Sequence, residues 1–545
     1  MGLKRYTGSA DNTITNAFQG TPWLKLRATG SNMGQADVTQ IFSVWGRNPQ
    51  SSSAEFGSQE LSRALIKFPI ATVSSDRSEG KIPASGSVNF YLRMFNAYHT
   101  QAVPENYTLS IHAVSRSWQE GSGMDMINFQ DETRGFTGSN WMSASNTTAW
   151  TDYGGDYLTA STQWDYSGSD GAARTKPPMY RQDFKSGLEN LEVDITGLVE
   201  HWISGTIGNY GVGVMLSSSY ETYYNTSVQD GGILPNTGGV ESSYYVKRFF
   251  ARGTQYYYNR PLIEARWDST KRDDRGGFYY SSSLGLAEDN VNTLYLYNYV
   301  RGRLRNIPAI GTTGSIMVSL YSGSSGNTAP SGSKLILYNS KYAITGGYVE
   351  TGVYSASLGL TASTDPIRTL YDVWWSGSTS QPGGVTRDSA ATEFATGSII
   401  PITTGSVDSF LSHVRTPKYF INITNLRNKY TIRETARFKL FVREKNWNPT
   451  VYTKATTVIP STAIVSASYR VVRTLDALEV IPHGTSSNNY SGLSFDKVGN
   501  YFDLDIGMLQ QGYEYALRFA FYDPELLTWT EQDKSFKFRV MADEY

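Results

Sequence analysis

The sequence predicts an all-β chain, and three observations carry that prediction. Apolar residues alternate with period two in many short runs, the mark of strands with one buried face. Phe438, Leu440 and Val442 alternate with Lys439, and Phe536, Phe538 and Val540 alternate with Lys537 and Arg539. Leu517, Phe519 and Phe521 share a face opposite Arg518, and Leu191, Val193 and Ile195 share one opposite Glu192 and Asp194. Second, glycine and serine punctuate these runs, as at Ser322-Gly323-Ser324-Ser325-Gly326-Asn327 and Gln381-Pro382-Gly383-Gly384. Third, the composition suits pleated surfaces and tight turns: 38 Tyr, 51 Gly, and only 18% charged residues. Aromatics at 13% are too frequent for a disordered chain.

At 545 residues the chain is too long for one core. Three domains are expected: 1–260, a jelly-roll-like sandwich; 261–410, a connecting segment plus a second sandwich; and 411–545, a C-terminal sandwich. The last two are sized like immunoglobulin-type modules. Arg260–Asp268 reads as a segment that returns along the first domain and leads to the second. Asp273-Asp274-Arg275-Gly276-Gly277 reads as a turn. Helical signal is scarce, and its best instance is Leu198, Val199 and Trp202, whose spacing puts three apolar side chains on one face. No repeat of fixed period argues for a solenoid or propeller.

Charge and motifs exclude several functions. A formal net charge of -1, without like-charge blocks, gives no footprint for nucleic acid or an anionic membrane. No run approaches the ~20 apolar residues of a membrane span, and the amino terminus lacks an apolar signal core. With no cysteine there is no disulfide and no thiolate metal site. The histidines, His99, His112, His201, His413 and His483, share no metal-ligand spacing. No nucleophile elbow, phosphate loop or dinucleotide fingerprint is present. Asp131, Glu132, Asp152 and Asp156 are acidic residues of the kind a glycosidase pairs, yet Asp is also a natural turn former. No enzyme activity, catalytic residue or cofactor is therefore expected. A structural Ca2+ held by loop oxygens is the one ion left open.

Several segments occur in a particular order. They are Ala64-Leu65-Ile66-Lys67-Phe68-Pro69-Ile70, Val88–Phe95, Ser117-Trp118-Gln119-Glu120-Gly121, Asp194-Ile195-Thr196-Gly197-Leu198-Val199-Glu200-His201-Trp202, and Tyr210–Leu216. In that order they resemble the DNRLRE-type β-sandwich, a jelly-roll module of secreted, surface and viral structural proteins. The resemblance spans roughly residues 10–260 and implies that Trp118 and Trp202 fill the sandwich. Further on come Arg260–Asp268, Asp273–Ser283, Asn292–Gly302 and Tyr371-Asp372-Val373-Trp374-Trp375-Ser376-Gly377. These are similar to large structural proteins of tailed, especially marine, bacteriophages. That resemblance implies an oligomeric virion component at the neck, tail or capsid surface, assembled in the host cytoplasm and bound to other virion proteins.

Partner contacts are expected from aromatics. Tyrosine and tryptophan are enriched at interfaces. The stretch from Gly121 to Lys185 is too long for a bare loop in a compact domain. It either packs on its own sandwich or meets a neighbour. Trp141 and Trp150 within it, with Tyr256, Tyr257 and Tyr258, are the candidate interface residues. The alternative is a carbohydrate-binding adhesin or receptor-binding protein on the virion or cell surface, with exposed tyrosines stacking on pyranose rings.

Overall fold

Alternating apolar residues become strands throughout the computed structural model. It describes residues 2–18, 27–46, 58–98, 103–124, 138–158, 166–167, 173–174, 179–225, 232–282, 284–286, 288–338, 340–361, 367, 369–376, 391–401, 418–449, 451, 454, 461–484, 489–523 and 526–542. Asp131, Glu132, Trp164, His99 and His413 lie outside the described residues. The chain divides into two units, Gly2–Trp267 and Asp268–Tyr545.

The strands of the first unit are β1 (Leu3–Thr7), β2 (Ala10–Thr15), β3 (Val38–Gly46), β4 (Ser58–Lys67), β5 (Asn89–Met94) and β6 (Tyr107–Ala113), then the short hairpin β7 (Tyr166–Ser167) and β8 (Ala173–Arg174). They continue with β9 (Tyr180–Phe184), β10 (Leu191–Asp194), β11 (Val212–Leu216), β12 (Tyr244–Phe250) and β13 (Leu262–Arg266). A four-stranded antiparallel sheet runs β1-β13-β5-β10, and a seven-stranded one runs β12-β3-β4-β11-β6-β9 with β2 added on β4. The ten-residue β4 is shared. Its first half pairs with β3 and its second with β2. Tyr6, Phe90, Leu92 and Ile263 of one sheet meet Ile41, Ile66, Ile111 and Val214 of the other in one buried core. This is the jelly-roll-like sandwich. Its strand neighbours are far apart in sequence, as when Tyr6 pairs with Ile263. The segment around Leu262–Arg266 is thus a central strand of this unit, and the division falls after Trp267.

Helices are short. In α2 (Thr196–Ser204), Leu198, Val199 and Trp202 face the core, and Gly205 ends the helix at φ 76°. The other, α1 (Ile70–Ser78), was not anticipated. Pro69 precedes it, and Ile70 and Val73 are buried one turn apart. Its remaining residues, rich in Ser, Thr and Asp, read locally as a loop because they compete with helix for backbone hydrogen bonds.

The second unit opens with β14 (Asn292–Tyr297), β15 (Tyr299–Val300), β16 (Arg303–Leu304), β17 (Ile316–Gly323), β18 (Pro330–Ser331), β19 (Ile344–Glu350), β20 (Val353–Leu358), β21 (Leu370–Ser376) and β22 (Thr392–Ile399). Six of these run β14-β20-β19-β17-β21-β22, with β18 on β17, over a core that includes Leu294, Val318, Leu358 and Trp374. Here the turn at Asp273–Gly277 finds its partner. Arg275 donates through Nη1 to Asp273 (2.6 Å) and through Nη2 to Asp372 (2.6 Å), and the Trp374 indole also donates to Asp372 (2.6 Å). A buried ion triad therefore joins that turn to β21.

The C-terminal strands are β23 (Tyr419–Ile423), β24 (Lys429–Thr431), β25 (Thr435–Glu444), β26 (Ala467–Arg473), β27 (Glu479–Ile481), β28 (Ser494–Asp496), β29 (Gly499–Asp505), β30 (Glu514–Asp523), β31 (Thr528–Glu531) and β32 (Phe536–Met541). They form two sheets, β23-β25-β29-β28 and β24-β32-β30-β26-β27 with β31 on β30. Between them lies an aromatic stack. Phe502 sits 5.2 Å from Phe438, 4.2 Å from Tyr469 and 5.8 Å from Phe519, ring to ring. The inward residues are those whose alternation predicted them: Phe438, Leu440 and Val442 are buried, as are Phe536, Phe538 and Val540.

Candidate functional sites: a sheet edge and a tyrosine-walled cavity

Two of the five candidate interface residues belong to the core. Trp141 is wholly buried and Trp150 nearly so, in a second hydrophobic cluster with Ile14, Leu61, Leu65, Val114 and Trp118. The segment 138–158 lies over the outer face of the seven-stranded sheet and closes that cluster. Each indole satisfies its N–H internally, Trp141 on the Gly232 carbonyl (2.7 Å) and Trp150 on the Asn140 carbonyl (2.8 Å). Arg63 lies over the Trp141 ring and donates to the Gly154 carbonyl. This corrects the expectation that these tryptophans are anchors for a neighbour. They hold a loop onto its own sandwich.

Asp156, one of the acidic residues of the same stretch, is committed to its own loop. Asp156 accepts from the backbone N–H groups of Thr151 (2.8 Å) and Asp152 (3.0 Å) and pairs with Arg116 (3.1 Å). Among the described residues no group of three or more His, Asp or Glu could hold a metal ion, and no helix is long and apolar enough to cross a membrane.

Trp118 and Glu120 have separate tasks. The Trp118 indole donates to the Tyr210 carbonyl (2.8 Å). One Glu120 oxygen receives the backbone N–H of Asp11 (3.0 Å) and the Arg252 guanidinium (2.7 Å). Asp11 itself is buried and accepts the Arg252 backbone N–H. Burial pushes the Asp11 carboxyl up to about 7 from 3.8, and the Glu120 charge adds to that. The folded state then holds a proton that the unfolded state has released between those values. Stability contributed at this site falls as pH rises from about 4 to about 7. Asp11→Asn keeps an acceptor for Arg252 without the buried charge. It is expected to raise the unfolding midpoint at pH 8 and to flatten its pH slope below 7. An unchanged pH profile of the urea midpoint would refute this.

A Ser–His contact arises in the C-terminal sheets: Ser468 Oγ lies 3.0 Å from His483 Nδ1 and 2.8 Å from Ser491 Oγ. Both serines are buried, and His483 is half-buried. Burial pulls the imidazoles of His112, to about 4, and of His483 below their ordinary value. Both rings are half-buried, and burial favours their neutral form.

Tyrosines do reach the surface at β12. Tyr256 and Tyr257 are 55% and 42% exposed, and Tyr258 is half-buried. Tyr256 packs edge-on against Phe250 (5.4 Å), and Tyr257 against Tyr258 (5.1 Å). At the far end of the strand, Tyr244 is 64% exposed and stacked on Tyr245 (4.9 Å), which meets Tyr220 at right angles. The outward backbone groups of β12 are only partly covered: Phe250 N donates to Phe95 O, and Ala97 N donates to Arg248 O. By antiparallel parity, Tyr244 and Val246 present N–H and C=O on that same side. Among the described residues nothing pairs with them.

The second unit holds a cavity of about 280 Å³, between the β14–β15 stretch and the outer face of β25 and β29. Tyr297, Tyr299, Tyr501 and Phe441 contribute to its walls. The Tyr297 and Tyr501 hydroxyls are bonded to each other (2.8 Å). Burial raises both phenols, Tyr501 to about 12, so both stay protonated. Arg437 lies over the Tyr501 ring (4.9 Å) and clamps Asp503 with two bonds of 2.7 and 2.9 Å. Nothing in the sequence pairs Tyr297 with Tyr501, 204 residues away. The local sign in the sequence was the alternation that sets Lys439 outward on β25.

No family model and no curated protein matches the chain. Among solved structures, fibronectin(III)-like modules of Clostridium thermocellum CbhA are similar over 51% of this chain and 95% of theirs, at 10% identity and a TM-score of 0.14. A DUF4785 family protein from Legionella pneumophila is similar over 98% of this chain and 92% of its own, at 9% identity and a TM-score of 0.13. Likenesses of that strength assign no function.

Proposed function

We propose that this chain is a multi-copy structural component of a bacteriophage virion, placed at the neck, tail or capsid surface and acting through protein–protein contacts. The observation that carries this reading is the half of β12 that no described residue pairs with. An edge strand with unpaired N–H and C=O groups is a template for another chain, and folds usually blunt such edges with charge, proline or a covering segment. At Tyr244 and Val246 the edge is uncharged and uncovered by any described residue. It is flanked by exposed tyrosine, the residue interfaces favour. The similarity of the segments after Arg260 to structural proteins of tailed phages supports the setting.

Proline at an edge position whose N–H faces outward removes a donor without breaking the inner ladder. Val246→Pro combined with Tyr244→Ser is therefore expected to reduce the copies incorporated per particle several-fold. The unfolding free energy of the free chain should stay within about 0.5 kcal/mol of the parent, as surface changes usually do. Full incorporation of the double variant, measured by quantitative mass spectrometry of purified particles, would contradict the reading.

A further inference from the structure

The cavity in the second unit has a chemistry that the assembly reading does not use. Most of its polar lining is already committed. Arg437 is held by Asp503. Asp496 accepts the backbone N–H groups of Val498 (2.7 Å) and Gly499 (3.2 Å). Asn500 exchanges two hydrogen bonds of 2.8 Å with the backbone of Ile464. What remains is the exposed ring of Tyr299, the apolar surface of Phe441 and Val498, and the ammonium of Lys439. Among the described residues Lys439 Nζ meets no acceptor.

The period-two alternation of β25 extends this chemistry out of the cavity. Arg437, Lys439, Phe441 and Arg443 project from the same sheet face, so Lys439 and Arg443 stand roughly 14 Å apart along the strand. Arg443 lies over the rings of Phe420 (5.7 Å) and Trp447 (5.3 Å), and among the described residues its buried Nε has no hydrogen-bond partner. Two cations with no carboxylate partner among the described residues, spaced along aromatic surface, fit a ligand that repeats negative charge and offers flat C–H faces. A nucleic acid would need a denser basic track, because it carries a phosphate at every residue.

We propose that this cavity and the cation row on β25 bind an acidic glycan, with one carboxylated pyranose on Tyr299 and its carboxylate on Lys439, and a further acidic unit reaching Arg443. The tyrosine pair at the floor, with one hydroxyl hydrogen still unused, is suited to a sugar hydroxyl. The site requires no assembly, so it stands or falls apart from the virion reading.

Isothermal titration of the full chain tests it, with a galacturonate oligosaccharide, its neutral galactose counterpart and single-stranded DNA as probes. Saturable binding of the uronate alone is expected, weakening with salt. Lys439→Met and Tyr299→Ala should each weaken it about tenfold, the size of a lost charge-assisted bond or stacking contact. Both residues are exposed, and matching unfolding midpoints establish that the variants are folded. Absence of uronate binding, equal binding of the neutral sugar or of DNA, or an affinity unmoved by Lys439→Met would each overturn the proposal.

Discussion

Glu264→Ala is expected to destabilise the first unit by about 3–5 kcal/mol, the usual consequence of removing one partner from a buried ion network. Glu264 is wholly inaccessible at the centre of β13. Its oxygens receive Arg5 from β1 (2.8 Å), Arg93 from β5 (3.2 Å) and Arg266 two residues on (2.7 Å). Glu192 of β10 adds a second, half-exposed carboxylate to Arg266 (2.7 Å) and Arg93 (3.3 Å). Three guanidiniums thus face two carboxylates, and the variant leaves three against one with the better-buried partner gone. Every strand of the four-stranded sheet contributes to this cluster, so its loss is felt across the whole sheet.

The same residue gives a pH signature. Burial alone would raise the Glu264 carboxyl, but the charges of Arg5, Arg93 and Arg266 outweigh it and hold the group at about 2, below its ordinary 4.5. A depressed carboxylate contributes stability that is complete above the unfolded value and is lost as pH falls through the folded one. The window is therefore about 4.5 down to about 2, and its depth is about 3 kcal/mol at ~1.4 kcal/mol per pH unit. Glu264→Gln should flatten this acid limb while preserving the shape of the site. A parent-like urea midpoint at pH 7, or an unaltered slope below pH 4.5, would contradict the assignment.

Trp141→Ala is expected to cost a similar ~3–5 kcal/mol, the range for emptying a large aromatic side chain from a packed core. Three losses coincide there. The indole fills space between Ile14, Leu61 and Leu65, its N–H satisfies the Gly232 carbonyl, and its ring shields Arg63. Without it the segment 138–158 loses its largest apolar contact with the sheet beneath. Hydrogen exchange should then rise first in 138–158, ahead of the central strands, because local opening follows the least-buried cooperative segment. Protection unchanged in that segment would show that Trp141 does not hold it.

Much of the fold was legible because strand burial has period two. The faces of β10, β25, β30 and β32 follow directly from the alternation at Leu191–Ile195, Phe438–Val442, Leu517–Phe521 and Phe536–Val540. The helix at Leu198–Trp202 was legible for the same kind of reason. Side-chain destinations across the sheets were not. Arg5 and Glu264 are 259 residues apart, and only the register of β1 on β13 brings them together. Tyr297 and Tyr501, on strands of two different sheets, were equally out of reach. The tryptophans of the long loop were misassigned because local sequence records that an indole wants burial, without recording whose surface buries it. The candidate site was legible only in part: the sequence offers Tyr256 and Tyr257, which are exposed, but the edge at Tyr244 and Val246, which no described residue covers, needed strand order to be seen.

The most direct test of the assembly reading is a cryo-EM map of intact particles in which this chain is located and its copies are counted. The expected result is several symmetry-related copies, each with the Tyr244–Val246 stretch of β12 covered by a neighbouring chain. Absence of the chain from purified particles, or copies whose β12 edge faces open solvent, would contradict it.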